Sequence, residues 1–207
     1  MKLHISFDQS DLEGALATAS EVAPYTQIFE VGTLLMYKYG TEAIKKFSQT
    51  FPEHTIVADS KIIDRGTDSV NIFADSGAHW LTIMAGTHKD IIYSACTAAH
   101  NQGKKIMLDL LDVSSLNQAA LEAANRGVDA LRFRQAYEPG PAEFLEHWDM
   151  VRGNTKLPIF LVANISRKTV DQISKIKPDG LIIGSAITGA ANPREEAQFF
   201  SNFCENF

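Results

Sequence analysis

A single (β/α)8 barrel covering residues 1–207 is the fold that the sequence predicts, and three observations lead to it. Short β-prone apolar runs alternate with stretches of helical spacing, each run is followed by a polar or glycine-bearing turn, and the unit recurs eight times. Strict alternation favours parallel strands joined by right-handed crossovers, and eight such units closing on themselves make a barrel with an outer ring of helices. An open doubly wound sheet is the rival. Its dinucleotide-binding form carries Gly-x-Gly-x-x-Gly after the first strand, where this chain has Phe7-Asp8-Gln9-Ser10.

In chain order, the first strand is expected over residues 3–7, and Ser10 or Asp11 can cap a helix over 11–22. A strand over 27–31 leads to helical spacing over 34–50. A third strand, 55–58, is followed by the weakest pattern of the chain, residues 65–76. Strand 80–84 leads to helix 89–101, which Asn101-Gln102-Gly103 can end, and strand 105–108 leads to helix 115–125, closed near Gly127. Strand 130–133 precedes helix 142–152, strand 158–162 precedes helix 167–175, and strand 180–183 precedes helix 193–203, whose Pro193 suits a first turn.

Composition narrows the function classes. The chain is 45% apolar and 21% charged with a net charge of −6, and it has no basic stripe, which argues against nucleic acid as a partner and leaves phosphate binding to local groups. A chain of 207 residues can bury a substantial core without disulfides, and Cys96 and Cys204 fall in helical patterns as buried thiols of a reducing compartment. The strand pattern begins at once, with neither the apolar segment of a signal peptide nor a run of membrane-spanning length, so a cytoplasmic protein with no membrane partner is expected.

In such a barrel the working face lies at the carboxyl ends of the strands, and the residues there are unusually polar. They are Asp8, Glu30, Asp59 with Lys61 and Asp64, Gly86-Thr87-His88, Asp109, Arg134, Asn164, and Gly184-Ser185. Acids, a lysine and an arginine converging on one mouth perturb one another, a mark of function more often than of stability. An ammonium between carboxylates keeps its charge, and carboxylates at strand ends can hold a divalent metal. Glu30 stands between Phe29 and Val31, where a carboxylate costs free energy unless paired or coordinated.

Each candidate has a plainer reading beside it. Asp8 either faces substrate or caps a helix. Asp59, Lys61 and Asp64 form either a site or a structural ion-pair network, and Asp112 can share the role of Asp109. His88 alone among the histidines follows a strand's carboxyl end. His4, His54, His79, His100 and His147 read as surface or packing residues, with no metal-ligand spacing among them. After the eighth strand, Gly184-Ser185-Ala186 leaves backbone N–H groups open, and with Asn164 and Ile165 of the seventh loop these are candidate phosphate-binding residues.

With Asp59-x-Lys61-x-x-Asp64, Glu30-Val31-Gly32-Thr33 and the closing Gly184-Ser185-Ala186-Ile187-Thr188-Gly189-Ala190 in view, the chain resembles the orotidine-5′-monophosphate decarboxylase superfamily. Within it, the resemblance is to the branch of 3-hexulose-6-phosphate synthases and 3-keto-L-gulonate-6-phosphate decarboxylases. The Gly-Asn-Trp segment of the decarboxylases after the fifth strand is replaced by Leu110-Leu111-Asp112, which favours the synthases.

The resemblance implies a homodimeric carbon-carbon lyase that stabilises an enediolate of a ketose phosphate with Mg2+. It would interconvert 3-hexulose 6-phosphate with ribulose 5-phosphate and formaldehyde. By position, Glu30 and Asp59 would hold the metal, Lys61 would hydrogen-bond the oxygens gaining charge, and Asp64 would reach the neighbouring subunit's site. Asp109 joins the catalytic candidates, while Asp8, Arg134, Glu138 and His88 are candidates for substrate contact. Two departures stand out: Arg134-Gln135-Ala136-Tyr137-Glu138 replaces the family's histidine and following aspartate, and Ala163-Asn164 replaces its Gly-Gly. Arginine does not shuttle protons near neutral pH, so Arg134 can instead clamp an anionic group. A decarboxylase of a 3-keto sugar-acid phosphate and a diverged sugar-phosphate-binding protein without turnover remain the alternatives.

Overall fold

The computed structural model describes residues 1–134 and 141–206. Its eight described strands, β1 (Lys2–Phe7), β2 (Ile28–Val31), β3 (Thr55–Ile62), β4 (Trp80–Met84), β5 (Lys105–Asp109), β6 (Ala130–Arg134), β7 (Ile159–Val162) and β8 (Gly180–Ile183), close into a barrel in sequence order. Neighbours are parallel throughout, and β8 returns to β1 with Gly180 opposite Lys2 and Ile183 opposite Ile5. The helices α1 (Leu12–Val22), α2 (Thr33–Tyr39), α3 (Thr41–Thr50), α4 (Gly66–Asp75), α5 (Lys89–Asn101), α6 (Leu116–Ala123), α7 (Pro141–Arg152), α8 (Val170–Ser174), α9 (Ser185–Thr188) and α10 (Pro193–Glu205) fill the connections. Among the described residues no helix is long and apolar enough to cross a membrane.

Strand periodicity sorts the side chains into two cores. Ile5, Phe7, Phe29, Val31, Leu131 and Phe133 face outward and are buried with the helices. There Phe7 meets Phe29 edge-to-face at 5.3 Å, and Phe29 meets Phe51 at 5.0 Å. Each phenyl ring so buried contributes about 1.5–3 kcal/mol. The inner core is small: Met107, Ala130, Phe160 and Ile182, with Ile28, Trp80 and Val162 packed against it. A methyl group on Gly180 would stand 2.6 Å from the Phe160 ring, so this glycine makes room for the ring inside a narrow barrel. Farther along the strands the interior turns polar, and His4, Ser6, Glu30, Asp59, Thr82, Asp109 and Arg132 are all buried there.

Four elements depart from the expected pattern for local reasons. The helix expected over 34–50 is broken at Gly40, whose φ of +58° suits glycine and ends α2 before α3 begins. Strand β3 runs on through Ile62 across a register shift after Ala58, because the polar Asp59 and Lys61 pair inside the barrel rather than starting a loop. Residues 66–75 form α4, whose Gly66 lies so close to the Ile91 carbonyl that a Cβ would meet it at 2.5 Å. The helix expected over 167–175 shortens to α8 because Thr169 Oγ1 accepts from the Ser166 N–H at 2.9 Å and donates to the Asn164 carbonyl at 2.9 Å, which folds that stretch as a turn.

Candidate active site

The polar upper interior is built around one guanidinium. Arg132 Nη2 donates to Glu30 Oε1 at 3.1 Å, and its Nη1 donates both to Glu30 Oε2 at 3.1 Å and to Asp59 Oδ1 at 2.9 Å. Its Nε stands 3.5 Å from Asp109 Oδ2. Ser6 Oγ adds a hydrogen bond to Glu30 Oε1 at 2.6 Å, and His4 Nε2 lies 3.3 Å from Glu30 Oε2. Carboxylates taken out of water carry a penalty of several kcal/mol each unless they are paired, and Arg132 meets all three acids. Burial alone would raise the Glu30 carboxyl, but the guanidinium, with His4 and Ser6, outweighs it and holds the group well below the usual carboxylate range. Burial likewise acts to lower Arg132, and Glu30, Asp59 and Asp109 together raise it.

Lys61 sits at the solvent edge of this cluster. Its Nζ donates to Asp59 Oδ2 and, at 2.7 Å, to Thr33 Oγ1, which itself donates to Asp59 Oδ2 at 2.8 Å. The bulged end of β3 aims it there. Lys61 has a φ of +43°, a left-handed conformation that is unfavourable by about 1 kcal/mol or more for a residue with a Cβ. Thr82 holds it: its Oγ1 accepts the Lys61 N–H at 2.9 Å and donates to Asp59 Oδ1 at 3.0 Å, while its carbonyl accepts from Ser60 Oγ at 2.8 Å. The Lys61 side chain is 21% exposed against 4% for Asp59, so the ammonium borders the mouth and the carboxylate does not.

Beside the cluster opens a cavity of about 750 Å³, lined by Arg134, Leu111, Asn164, Ile165, Gly184 and Ser185 among others. Arg134 joins the two regions. Its Nε donates to Asp109 Oδ2 at 3.2 Å, its Nη2 lies 3.9 Å from Asp59 Oδ2, and its side chain is 22% exposed. The rest of the lining comes from the loops after the neighbouring β7 and after β8, where Gly184 precedes the short α9 and a Cβ on it would meet nothing closer than the Ser6 carbonyl at 3.5 Å. The four candidate phosphate residues therefore line one cavity together with the Arg134 cation.

Other candidates are placed differently. Asp8 is exposed, and its Oδ1 accepts the Leu34 N–H at 2.7 Å in the first turn of α2, whereas the helix that follows it, α1, is capped by Asp11, whose Oδ2 accepts the Gly14 N–H at 3.0 Å. His88 caps α5 through Nδ1, which accepts the Asp90 N–H at 3.3 Å, and its side chain is 64% exposed. Asp109 is fully buried, with Oδ1 accepting the Leu111 N–H at 3.1 Å and Oδ2 facing two arginines, so it anchors cations rather than standing free as an acid or base. Asp112 braces a loop by accepting the Gly86 N–H at 3.0 Å. Asp64 is exposed and accepts the Arg65 N–H at 2.7 Å. Glu138 lies outside the described residues.

Magnesium, which the resemblance assigns to Glu30 and Asp59, does not fit this donor set. The ion needs carboxylate oxygens free to approach at about 2.0–2.1 Å in octahedral array. Here both oxygens of both acids accept from protein donors, and the Arg132 guanidinium lies between the two carboxylates. Among the described residues no group of three or more His, Cys, Asp or Glu side chains is arranged to hold a metal.

Arg132, His4, Thr33 and Thr82 were not among the candidate site residues; His4, read as a surface or packing residue, is fully buried with Nε2 3.3 Å from Glu30 Oε2. The signal for the first two is strand alternation: in Ala130-Leu131-Arg132-Phe133-Arg134 the two arginines share the face opposite Leu131 and Phe133, and in Leu3-His4-Ile5-Ser6-Phe7 the polar pair likewise alternates with apolar residues. Thr33 and Thr82 carry no such signal, since a threonine is common on a strand or at a helix start.

Residues 1–200 match the family model described as "Orotidine 5'-phosphate decarboxylase / HUMPS family". A curated protein named 3-hexulose-6-phosphate synthase from Bacillus subtilis (strain 168) is 28% identical over 200 residues, 95% of this chain and 95% of its own. One of the same name from Staphylococcus aureus (strain USA300) is 29% identical over 203 residues, 96% of each. The crystal structure of 3-hexulose-6-phosphate synthase from Salmonella typhimurium superposes with a TM-score of 0.92 at 30% identity, covering 100% of this chain and 99% of that one. The crystal structure of KGPDC from Streptococcus mutans shares the fold, with a TM-score of 0.88 at 22% identity over 99% of this chain and 97% of that one.

Proposed function

Because the chain belongs to the orotidine 5′-phosphate decarboxylase / HUMPS family, we propose that it is an aldol lyase of phosphorylated ketoses, joining ribulose 5-phosphate and formaldehyde to 3-hexulose 6-phosphate and reversing that reaction. The enzyme is of the carbon-carbon lyase class, as are relatives that carry the synthase name along nearly their whole length. The observation that carries the reading is the Lys61 ammonium, fixed by Asp59 and Thr33 and linked through Asp59 to Arg134, which lines a cavity together with the loops after β7 and β8.

In this reading the sugar phosphate lies along the cavity. Backbone N–H groups of the loops at Asn164 and at Gly184 and Ser185 receive the dianion, while the Ile165 N–H, held by the Ala163 carbonyl at 2.8 Å, shapes the turn, and Arg134 adds a charge-assisted contact. The reacting end then lies at Lys61. A proton passes from C1 of ribulose 5-phosphate to solvent and leaves an enediolate, whose C1 attacks the formaldehyde carbon; one carbon-carbon bond forms as the formaldehyde C=O π bond breaks, and the new alkoxide takes one proton back from solvent. Cleavage is the reverse, and no electron leaves the system. The charge that gathers on the enediolate oxygens is met by an ammonium already held in place, which is where fixed dipoles and charges accelerate most. A homodimer belongs to the same reading. Ile63, next to Asp64, and Leu34 and Tyr37 are exposed large apolar side chains at this end of the barrel, a surface that a second copy would cover while bringing its own Asp64 toward the cavity.

The test is direct. Purified protein supplied with ribulose 5-phosphate and formaldehyde is expected to consume the aldehyde and form a hexulose phosphate. Absence of consumption sinks the synthase. Carbon dioxide release from 3-keto-L-gulonate 6-phosphate would move the assignment to the decarboxylase, and calorimetric binding of either phosphate without turnover would move it to a binding protein.

Arg134 gives a second expectation. Losing a charge-assisted contact to an anionic group is worth about 1.5–3 kcal/mol, so Arg134→Ala is expected to raise KM for the phosphorylated substrate roughly 10- to 100-fold. Arg134→His is expected to change turnover or substrate choice more than thermal stability. Steady-state kinetics on both variants would check this, and unchanged kinetics would show that the position is idle.

A further inference from the structure

The acid cluster is already neutralised from within the chain. Three buried carboxylates, Glu30, Asp59 and Asp109, face three protein cations, Arg132, Lys61 and Arg134, each within ion-pair distance of at least one of them. A divalent ion placed between Glu30 and Asp59 would have to displace a guanidinium that is 3% exposed, lies under the cluster and is bound to Glu30 through both terminal nitrogens. Displacement would also strand that guanidinium in the barrel, because the inner core beneath it is apolar, with Met107, Ala130, Phe160 and Ile182.

We propose that Arg132 is the resident cation of this site, standing where a divalent metal would otherwise bridge Glu30 and Asp59, and that the protein works without one. Arg132 is then a positioning residue. It fixes Asp59, Asp59 fixes Lys61, and Arg134, 3.9 Å from the same carboxylate, lines the cavity. The consequence for turnover, indifference to chelators, rests on the aldol-lyase reading above; the occupancy of the site does not, because it is read without substrate.

The experiment is a titration of the intact protein with Mn2+, followed by the electron paramagnetic resonance of the free ion, together with its melting temperature in the presence of EDTA or Mn2+. Wild type is expected to take up no Mn2+ that depends on Asp59 and to melt at the same temperature in both conditions. Arg132→Ser opens the space and leaves the two acids, so it is expected to gain one Mn2+ site, with a melting temperature raised by the ion, and Glu30→Gln in that background is expected to abolish both effects. Wild type that binds Mn2+ stoichiometrically and loses it in Asp59→Asn would overturn the proposal. So would a folded Arg132→Ser protein that takes up no metal. If Arg132→Ser does not fold, the wild-type titration with its Asp59→Asn control decides alone. Should ribulose 5-phosphate prove not to be the substrate, an unchanged wild-type titration would still support the guanidinium as occupant while the synthase reading fell.

Discussion

Arg132→Met is expected to destabilise the fold by about 3–5 kcal/mol at neutral pH, the range for breaking a buried ionic network by removing one partner. The methionine fills much of the same space, so the loss is electrostatic rather than a cavity: Glu30, Asp59 and Asp109 each lose a cation from the barrel interior. Acid should narrow the difference. In wild type Glu30 is held below its ordinary value of 4.5, so it contributes stability that is present above that pH and lost as the pH falls through the lower folded value. In Arg132→Met burial is the large influence left on Glu30; its folded value rises, and the variant gains stability relative to neutral pH as that carboxyl takes up a proton. Urea denaturation at pH 7 and at about pH 4.5 would check both parts, and equal midpoints for the two proteins at pH 7 would show that the guanidinium carries none of the acids' burial penalty.

Lys61→Ala is expected to lower kcat by about 10²- to 10⁴-fold while binding of the sugar phosphate changes less than about tenfold. The split follows from the geometry. In the proposed reading the ammonium meets the reacting end, whereas the phosphate is held by the loops after β7 and β8, which line the cavity without Lys61. Asp59 keeps Arg132, Thr33 and Thr82 as partners in this variant, so little stability is at stake. Rates of formaldehyde consumption together with calorimetry on ribulose 5-phosphate separate the two effects. A variant that binds poorly but turns over normally at saturation would assign Lys61 to binding instead.

The fold was legible because the barrel depends on a repeating pattern that single residues cannot disturb. Strands β4 and β8 and helix α5 fall on the expected residues, and the misplaced ends lie where one residue decides, as at Gly40 between α2 and α3. The convergence of Glu30, Asp59, Lys61, Asp109 and Arg134 was also legible, since strand ends of a barrel share one mouth. What was not legible is which partner each acid finds. A carboxylate at a strand end reads alike whether a metal or an arginine meets it, and Arg132 lies inside β6 rather than in the polar ring past the strand ends. His88 shows the converse, because a polar side chain after a strand is also where the next helix needs a cap.

Hydrogen exchange at carbon reports whether this mouth stabilises an enediolate of a ketose phosphate at Lys61, as proposed. Ribulose 5-phosphate incubated with the protein in deuterated water, without aldehyde, is expected to gain deuterium at C1 with wild type and to gain it at least about a hundredfold more slowly with Lys61→Ala. A protein that binds ribulose 5-phosphate yet leaves C1 unlabelled over many times the expected turnover would mean that no enediolate forms there.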